Sequence, residues 1–284
     1  MSLSAIPEYF ISFRHLRFDA VDCVAIGYFI YNKYLSCKEP LTLLVDLTYC
    51  NLGDTEIEIL LKYVRKGFLN KDLGRVQMFL RNNRLGLGAI TALSDTLIQS
   101  SQLVNVDLDG CLHPATMDTK SALKYLIEGL SRNTSLKILS MQACSLGPSH
   151  AYHLALLCAI CKTESLSLSG NNIRSSIPFI AETIKYNRAL KELRLDSCYI
   201  SDRELILLGE ALQQNDALEE LFIAKNPFSS STLTVFRNGL IGTKSRLRIN
   251  LNVGDHLPTD LQRHTTDSIR LQQTVPPVPI YAIA

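Results

Sequence analysis

The 284-residue chain contains no apolar run long enough to cross a bilayer. Its longest, Cys23–Tyr31 and Leu154–Cys161, fall far short of the roughly 20 residues that a spanning helix needs. Nor does it carry an excess of one charge. Lys+Arg 29 against Asp+Glu 27 leaves a formal net charge of +2, with the signs interspersed. Such a balance gives no reason to expect a nucleic-acid or membrane partner. The start, Met1–Phe18, is broken by Pro7, Glu8, Arg14 and Arg17, so no secretory leader is read there and the expected compartment is the cytosol. No Gly-x-x-x-x-Gly-Lys-Ser/Thr loop cradles a phosphate, and no Gly-x-Ser-x-Gly turn presents a nucleophile. Gly86-x-Gly88 follows a strand and opens a helix, where a phosphate can sit, but two glycines equally serve a tight turn. The expectation is a non-enzymatic chain with no cofactor and no metal.

What the chain does have is a repeat. Leu190-x-x-Leu193-x-Leu195-x-x-Cys198-x-Ile200 returns as Leu218-x-x-Leu221-x-Ile223-x-x-Asn226-x-Phe228 and as Leu136-x-x-Leu139-x-Met141-x-x-Cys144-x-Leu146. Weaker copies centre on Val45, Met78, Val106 and Leu166, with Phe13-x-x-Leu16-x-Phe18 as a degenerate first turn and Leu247-x-Ile249 as a degenerate last one. The fourth position of each copy falls at 16, 45, 78, 106, 139, 166, 193, 221 and 247. Self-similarity at about 28 residues is the signature of a solenoid.

Each unit has a legible physics. Positions four and six alternate to one side of a short strand. The remainder has helical spacing, as in Leu123, Leu126, Leu130 or Ile177, Ile180, Ile184. No unit can bury its own stripe, so stacking must build one continuous core. The expected fold is a right-handed α/β solenoid, a horseshoe with a concave parallel sheet of eight or nine strands and convex helices, over residues 1–254. The first turn is placed near 13–40 and the last near 245–254. Extra loop is expected in the stretches 65–75 and 114–120. Residues 255–284, with Pro276-Pro277-Val278-Pro279, lose the period and read as an extended or disordered tail.

Position nine, where the chain bends away, holds Cys50, Asn83, Cys111, Cys144, Asn171, Cys198 and Asn226. An Asn there can satisfy backbone donors and acceptors, and a Cys packs as a small apolar group. This ladder accounts for half of the eight cysteines, so no disulfide framework is implied. His150-x-x-His153 and Cys158-x-x-Cys161 have zinc-binding residue types. Residues 150 and 161 are nevertheless about 16 Å apart along a helix, too far for one ion. In the repeat alignment Cys158 and Cys161 fall at mostly outward positions. Asn133-Thr134-Ser135 is a formal glycosylation sequon at a helix-to-strand junction.

Positions five and seven flank the inward residue at six and should face solvent on the concave side. They offer Asp46, Phe79, Arg81, Asp107, Asp109, Arg194, Asp196 and Phe222 as candidate contacts for a protein partner. The mixed signs argue against a phosphate backbone as ligand. Arginine and aromatic residues are the types that anchor protein interfaces, and Phe79 and Phe222 are read as exposed.

The ladder motif and the helix-ending Asn133, Asn187 and Asn215 resemble the ribonuclease-inhibitor type of leucine-rich repeat, over roughly residues 13–252. Asp22-Cys23-Val24-Ala25-Ile26-Gly27-Tyr28-Phe29-Ile30, followed by Val45-Asp46-Leu47-x-x-Cys50-Asn51-Leu52-Gly53-Asp54, looks like the start of the carboxy-terminal repeat region of NOD-like receptors. That resemblance implies ligand sensing or autoinhibition in an innate immune context, by an arm lacking its nucleotide-binding switch. Two other readings stay open. One is a regulator similar to the repeat-type activator of the Ran GTPase, with Arg81 suitably placed. The other is an adaptor arm of a ubiquitin ligase.

Overall fold

The computed structural model describes residues 8–36, 41–67, 74–240 and 247–251. The chain divides into two compact units, Met1–Leu251 and Asn252–Ala284. The Pro-containing tail belongs to the second and lies outside the described residues, as does much of the loop expected near 65–75.

Strands and helices alternate along the first unit. The strands are β1 (Glu8–Ser12), β2 (Leu41–Asp46), β3 (Gly74–Phe79), β4 (Leu103–Asp107), β5 (Ile138–Ser140), β6 (Ser165–Ser167), β7 (Glu192–Arg194), β8 (Glu220–Phe222) and β9 (Arg248–Asn250). Between them run α1 (Ala20–Ser36), α2 (Asp54–Gly67), α3 (Leu87–Gln99), α4 (Thr119–Arg132), α5 (Ala151–Ile160), α6 (Ile177–Ile184), α7 (Asp202–Gln214) and α8 (Ser230–Leu240). All nine strands form one open parallel sheet in sequence order. The fold is therefore the α/β solenoid that the period implies. Stacked strands are about 4.8 Å apart and packed helices about 8–10 Å, so the sheet side is the inner, concave one.

Positions four and six face the helices in every interior turn. Val45, Leu47, Met78, Leu80, Val106, Leu108, Leu139, Met141, Leu166, Leu168, Leu193, Leu195, Leu221 and Ile223 all belong to one continuous core. The strand register corrects both ends of the sequence alignment. Ile11, not Leu16, pairs with Val45, and Ile249, not Leu247, pairs with Leu221. The first turn thus starts at Glu8, and its positions five and seven are Ser12 and Arg14. Phe13-x-x-Leu16-x-Phe18 imitates the motif five residues late, and Leu16 is half exposed at the end of the stack.

The ladder at position nine follows a rule that ties sequence to backbone. Asn83, Asn171 and Asn226 each accept two amides from the preceding turn and donate to at least two carbonyls. For Asn171 the donors are Cys144 N at 2.9 Å and Leu146 N at 3.1 Å, and the acceptors are Met141 O at 2.9 Å and Leu168 O at 2.8 Å. Cys50 and Cys198 stand to Asn83 and Asn226 as Cys144 does to Asn171. Every described turn from the second on places position eight in the left-handed region. Only the three Cys turns followed by an Asn add a second such residue at position ten: Asn51 (φ 57°), Ser145 (φ 54°) and Tyr199 (φ 63°). Cys111 is followed by Cys144, has no second left-handed residue, and its amide closes on Leu108 O at 2.9 Å. The thiols of Cys50, Cys111, Cys144 and Cys198 each donate to a carbonyl of the turn before, at 3.1, 3.0, 3.1 and 3.3 Å.

A second ladder runs at the helix ends. Asn133, Asn187 and Asn215 each donate to two carbonyls of the preceding turn and accept amides two and three residues onward. Asn133 is buried with its Nδ2 engaged at 2.7 Å, so the sequon has no accessible acceptor nitrogen.

Candidate recognition surface

The open face of the sheet is built by positions three, five and seven, which alternate away from the core. Register brings Asp46, Phe79 and Asp107 side by side on β2, β3 and β4. The expectation that these residues project into solvent is corrected. Asp46, Phe79, Asp107, Asp109 and Asp196 are all buried, Phe79 completely. Side chains on the inner side of a curved sheet converge, and short aspartates there find backbone amides to accept.

The aspartates act as clamps between turns. Asp109 Oδ1 accepts Ser140 Oγ at 2.5 Å and the Gln142 amide at 2.7 Å, both in the next turn. Asp196 Oδ1 accepts the Ala224 amide at 2.6 Å, again one turn on. Asp46 Oδ1 accepts the Thr48 amide at 3.0 Å, and its Oδ2 lies 3.1 Å from Arg14. Arg81 bridges two carboxylates, 3.1 Å from Asp107 Oδ2 and 2.6 Å from Asp109 Oδ2. One guanidinium does not neutralise both. Burial, reinforced by the neighbouring Asp109 charge, pushes the Asp107 carboxyl up to about 7.

The C-terminal half of the face is different. The Arg194 guanidinium lies 3.8 Å from the centre of the half-buried Phe222 ring and is held at its Nε by Glu192 Oε1 at 2.6 Å. Arg248 pairs with Glu220 on the neighbouring strand. Along the adjoining rim stand residues that the strand pattern does not single out. Tyr199 is 59% exposed beside Lys225 and Pro227, and Tyr49 is 50% exposed. Tyr49 stacks on His15 with ring centres 4.9 Å apart and planes 10° from parallel. Four of these rim residues, His15, Tyr49, Tyr199 and Lys225, have φ near +60°. The signal for them was the position-eight and position-ten backbone, which carries side chains clear of the sheet edge.

The other candidate constellations are filled or dispersed. Where Gly86-x-Gly88 opens α3, the Asp54 carboxylate accepts the amides of Gly86 at 2.6 Å, Gly88 at 3.0 Å and Ala89 at 3.1 Å. The place read as a phosphate cradle therefore holds the protein's own anion, and a Cβ on Gly86 would lie 2.5 Å from it. His150 is buried with Nε2 at 2.7 Å from Thr119 Oγ1 and Nδ1 at 3.0 Å from the Gly147 amide. The outward placement of Cys158 and Cys161 is a further correction: both are buried. The junction from helix end to strand is one residue shorter in this unit, so Cys161 rather than residue 160 stands at the position of Asn187. Asn187 accordingly donates to the Cys158 and Cys161 carbonyls. Burial pushes the Cys144, Cys158 and Cys198 thiols up to about 12, which leaves them unreactive at neutral pH. Among the described residues no group of three or more His, Cys, Asp or Glu is placed to hold a metal, and no helix is long and apolar enough to cross a membrane.

No protein-family model matches the chain. Among curated proteins it is similar to leucine-rich repeat-containing protein 14 of Xenopus laevis, at 25% identity over 212 residues. The match takes in 69% of this chain and 38% of that protein, so the chain spans well under half the relative's length. Among solved structures it resembles a chain of the yeast Rad7 and Elc1 complex, with a TM-score of 0.41 and 16% identity, covering 74% of this chain and 62% of that one. The repeats are of the leucine-rich type.

Proposed function

We propose that this leucine-rich-repeat solenoid is a non-enzymatic scaffold that recognises a protein partner along the C-terminal half of its open face and the adjoining rim. The observation that carries the reading is the division of labour among the polar residues. The aspartates at positions five and seven are consumed in holding turns together. Arg194, paired with Glu192 and stacked on Phe222, and the exposed Tyr199 hold no backbone amide of another turn, and these are the side-chain types from which interface anchors are made. The resemblance of residues 22–30 and 45–54 to the repeat region of NOD-like receptors supports a sensing or autoinhibitory context. A GTPase-activating role is disfavoured, because the Arg81 guanidinium is held by Asp107 and Asp109 rather than free to reach a nucleotide.

The test is a quantitative capture experiment with wild type and with Tyr199→Ala/Phe222→Ala, both checked for the same melting temperature. Specific partners of the wild type should fall at least tenfold in the double variant. Equal recovery of every partner would sink the proposal.

A further inference from the structure

Two turns that one side chain locks together build a pocket on the rim. Ser197 and Tyr199 come from the Cys198 turn, Lys225 and Pro227 from the Asn226 turn, and the space they line is about 450 Å³. Ligand sites fall in the range of roughly 300–1,000 Å³. Asn226 Oδ1 accepts the Cys198 amide at 2.8 Å and the Ile200 amide at 3.0 Å, on either side of Tyr199. Its Nδ2 donates to Leu195 O at 2.8 Å and Ile223 O at 2.9 Å. The backbone of both walls is therefore fixed before anything binds. The other Cys turns followed by an Asn do not repeat this chemistry. Those of Cys144 and Asn171 present Ala143, Ser145, Gly170 and Asn172, with neither ring nor charge. Those of Cys50 and Asn83 present Tyr49 and Arg84, but Tyr49 lies stacked on His15 of the turn before.

The geometry points to an acidic–apolar segment of a partner protein as the occupant. A ring-bearing or large aliphatic side chain lies against Tyr199 and Pro227, and an Asp or Glu close by in its sequence meets Lys225 Nζ. The inference rests on the recognition reading of this face and narrows it to one partner chemistry. Charge selects the acid. On the neighbouring strands Arg194 holds Glu192 and Arg248 holds Glu220. Among the described residues no carboxylate lies within ion-pair distance of Lys225, which is exposed at the pocket's edge. A basic segment would meet that ammonium with like charge. The two exposed rings, in turn, select an apolar neighbour for the acid. A nucleic-acid strand needs a track of cations, and the rim positions before Lys225 are Ser197 and Gly170.

Random peptides displayed on phage and panned against the full chain test this. Recovered sequences should set Asp or Glu next to, or one residue from, an aromatic or large aliphatic residue. A synthetic peptide of that pattern should bind about tenfold more weakly, or worse, to Lys225→Glu and to Tyr199→Ala, each checked for the wild-type melting temperature. It should bind Lys124→Glu, the same charge change at an exposed position of α4, as it binds wild type. Added salt should weaken its binding to wild type and leave its binding to Lys225→Gln nearly unchanged. Peptides without acidic residues that are lost in Tyr199→Ala would overturn the acidic occupant and leave the recognition surface standing. Recovery of no peptide would likewise overturn this inference alone. Peptide binding indifferent to both Lys225 and Tyr199 would overturn the inference and the reading beneath it. A single-stranded oligonucleotide held through Lys225 more tightly than any peptide would also overturn it.

Discussion

Replacing Asn171 tests the ladder most directly. Its side chain is 1% exposed and makes four hydrogen bonds of 2.8–3.1 Å that join two turns at the middle of the stack. In Asn171→Ala the amides of Cys144 and Leu146 lose their acceptor at a buried site. A buried donor left unpaired costs about 1–3 kcal/mol, so two of them, with some relaxation of the turn, give roughly 3–5 kcal/mol. That is a large part of the 5–15 kcal/mol typical of a whole domain. Asn171→Cys isolates the cause. Neighbouring turns show that a thiol packs well at this position and donates to a carbonyl, but it cannot accept two amides. Its cost should therefore stay above about 2 kcal/mol, because the orphaned amides remain. Urea titration followed by circular dichroism measures both, and hydrogen exchange at Cys144 and Leu146 reads the two amides themselves. If Asn171→Cys is as stable as wild type, or those two amides stay protected in Asn171→Ala, the hydrogen-bond argument is wrong.

Two further outcomes are expected. The Asp107 carboxyl is raised from its ordinary 3.8 to about 7, so the folded chain holds a proton through that window that the unfolded chain has released. Stability should fall as pH rises from about 4 to 7, by on the order of 1 kcal/mol per unit, and Asp107→Asn should flatten that slope in melting scans. Asp54→Ala removes the anion from the start of α3 and should cost about 2 kcal/mol, with early loss of exchange protection at Gly88 and Ala89. An unchanged melting temperature would show that water serves those amides equally well.

The interior of the fold was legible in the sequence because each turn repeats the same packing problem, so leucines at positions four and six fix strand, face and register together. The ends were not. A terminal turn has a neighbour on one side only, and Phe13, Leu16 and Phe18 satisfy the motif as written while Ile11 satisfies the sheet. Cys158 and Cys161 were misplaced for a related reason: a one-residue shortening before β6 shifts the helix relative to the strand without disturbing the leucines. The open face was harder still. Whether Asp46, Asp107, Asp109 or Asp196 meets solvent depends on the curvature of the sheet and on amides some 30 residues away, as with Asp196 and Ala224. The carboxylate of Asp54 occupies the Gly86–Ala89 amides across a similar separation, and no local pattern announces it. Asn and Cys at position nine were visible, but the backbone rule linking each Cys turn to the Asn after it was not.

That rule fixes the quantum in which such a chain can grow or shrink. A Cys turn with two left-handed residues is written to be read by an Asn one turn later, so Cys50 with Asn83, Cys144 with Asn171, and Cys198 with Asn226 behave as indivisible couplets. Deleting either member strands a pair of amides or a side-chain amide with nothing to hold. The turn of Cys111 stands between couplets and closes on itself, so losing it would return the Cys144 thiol to a carbonyl of the Asn83 turn, at the cost of the Asp107 and Asp109 clamps to Arg81, Ser140 and Gln142. It is the one described seam at which a single turn can be excised or duplicated while every couplet stays whole.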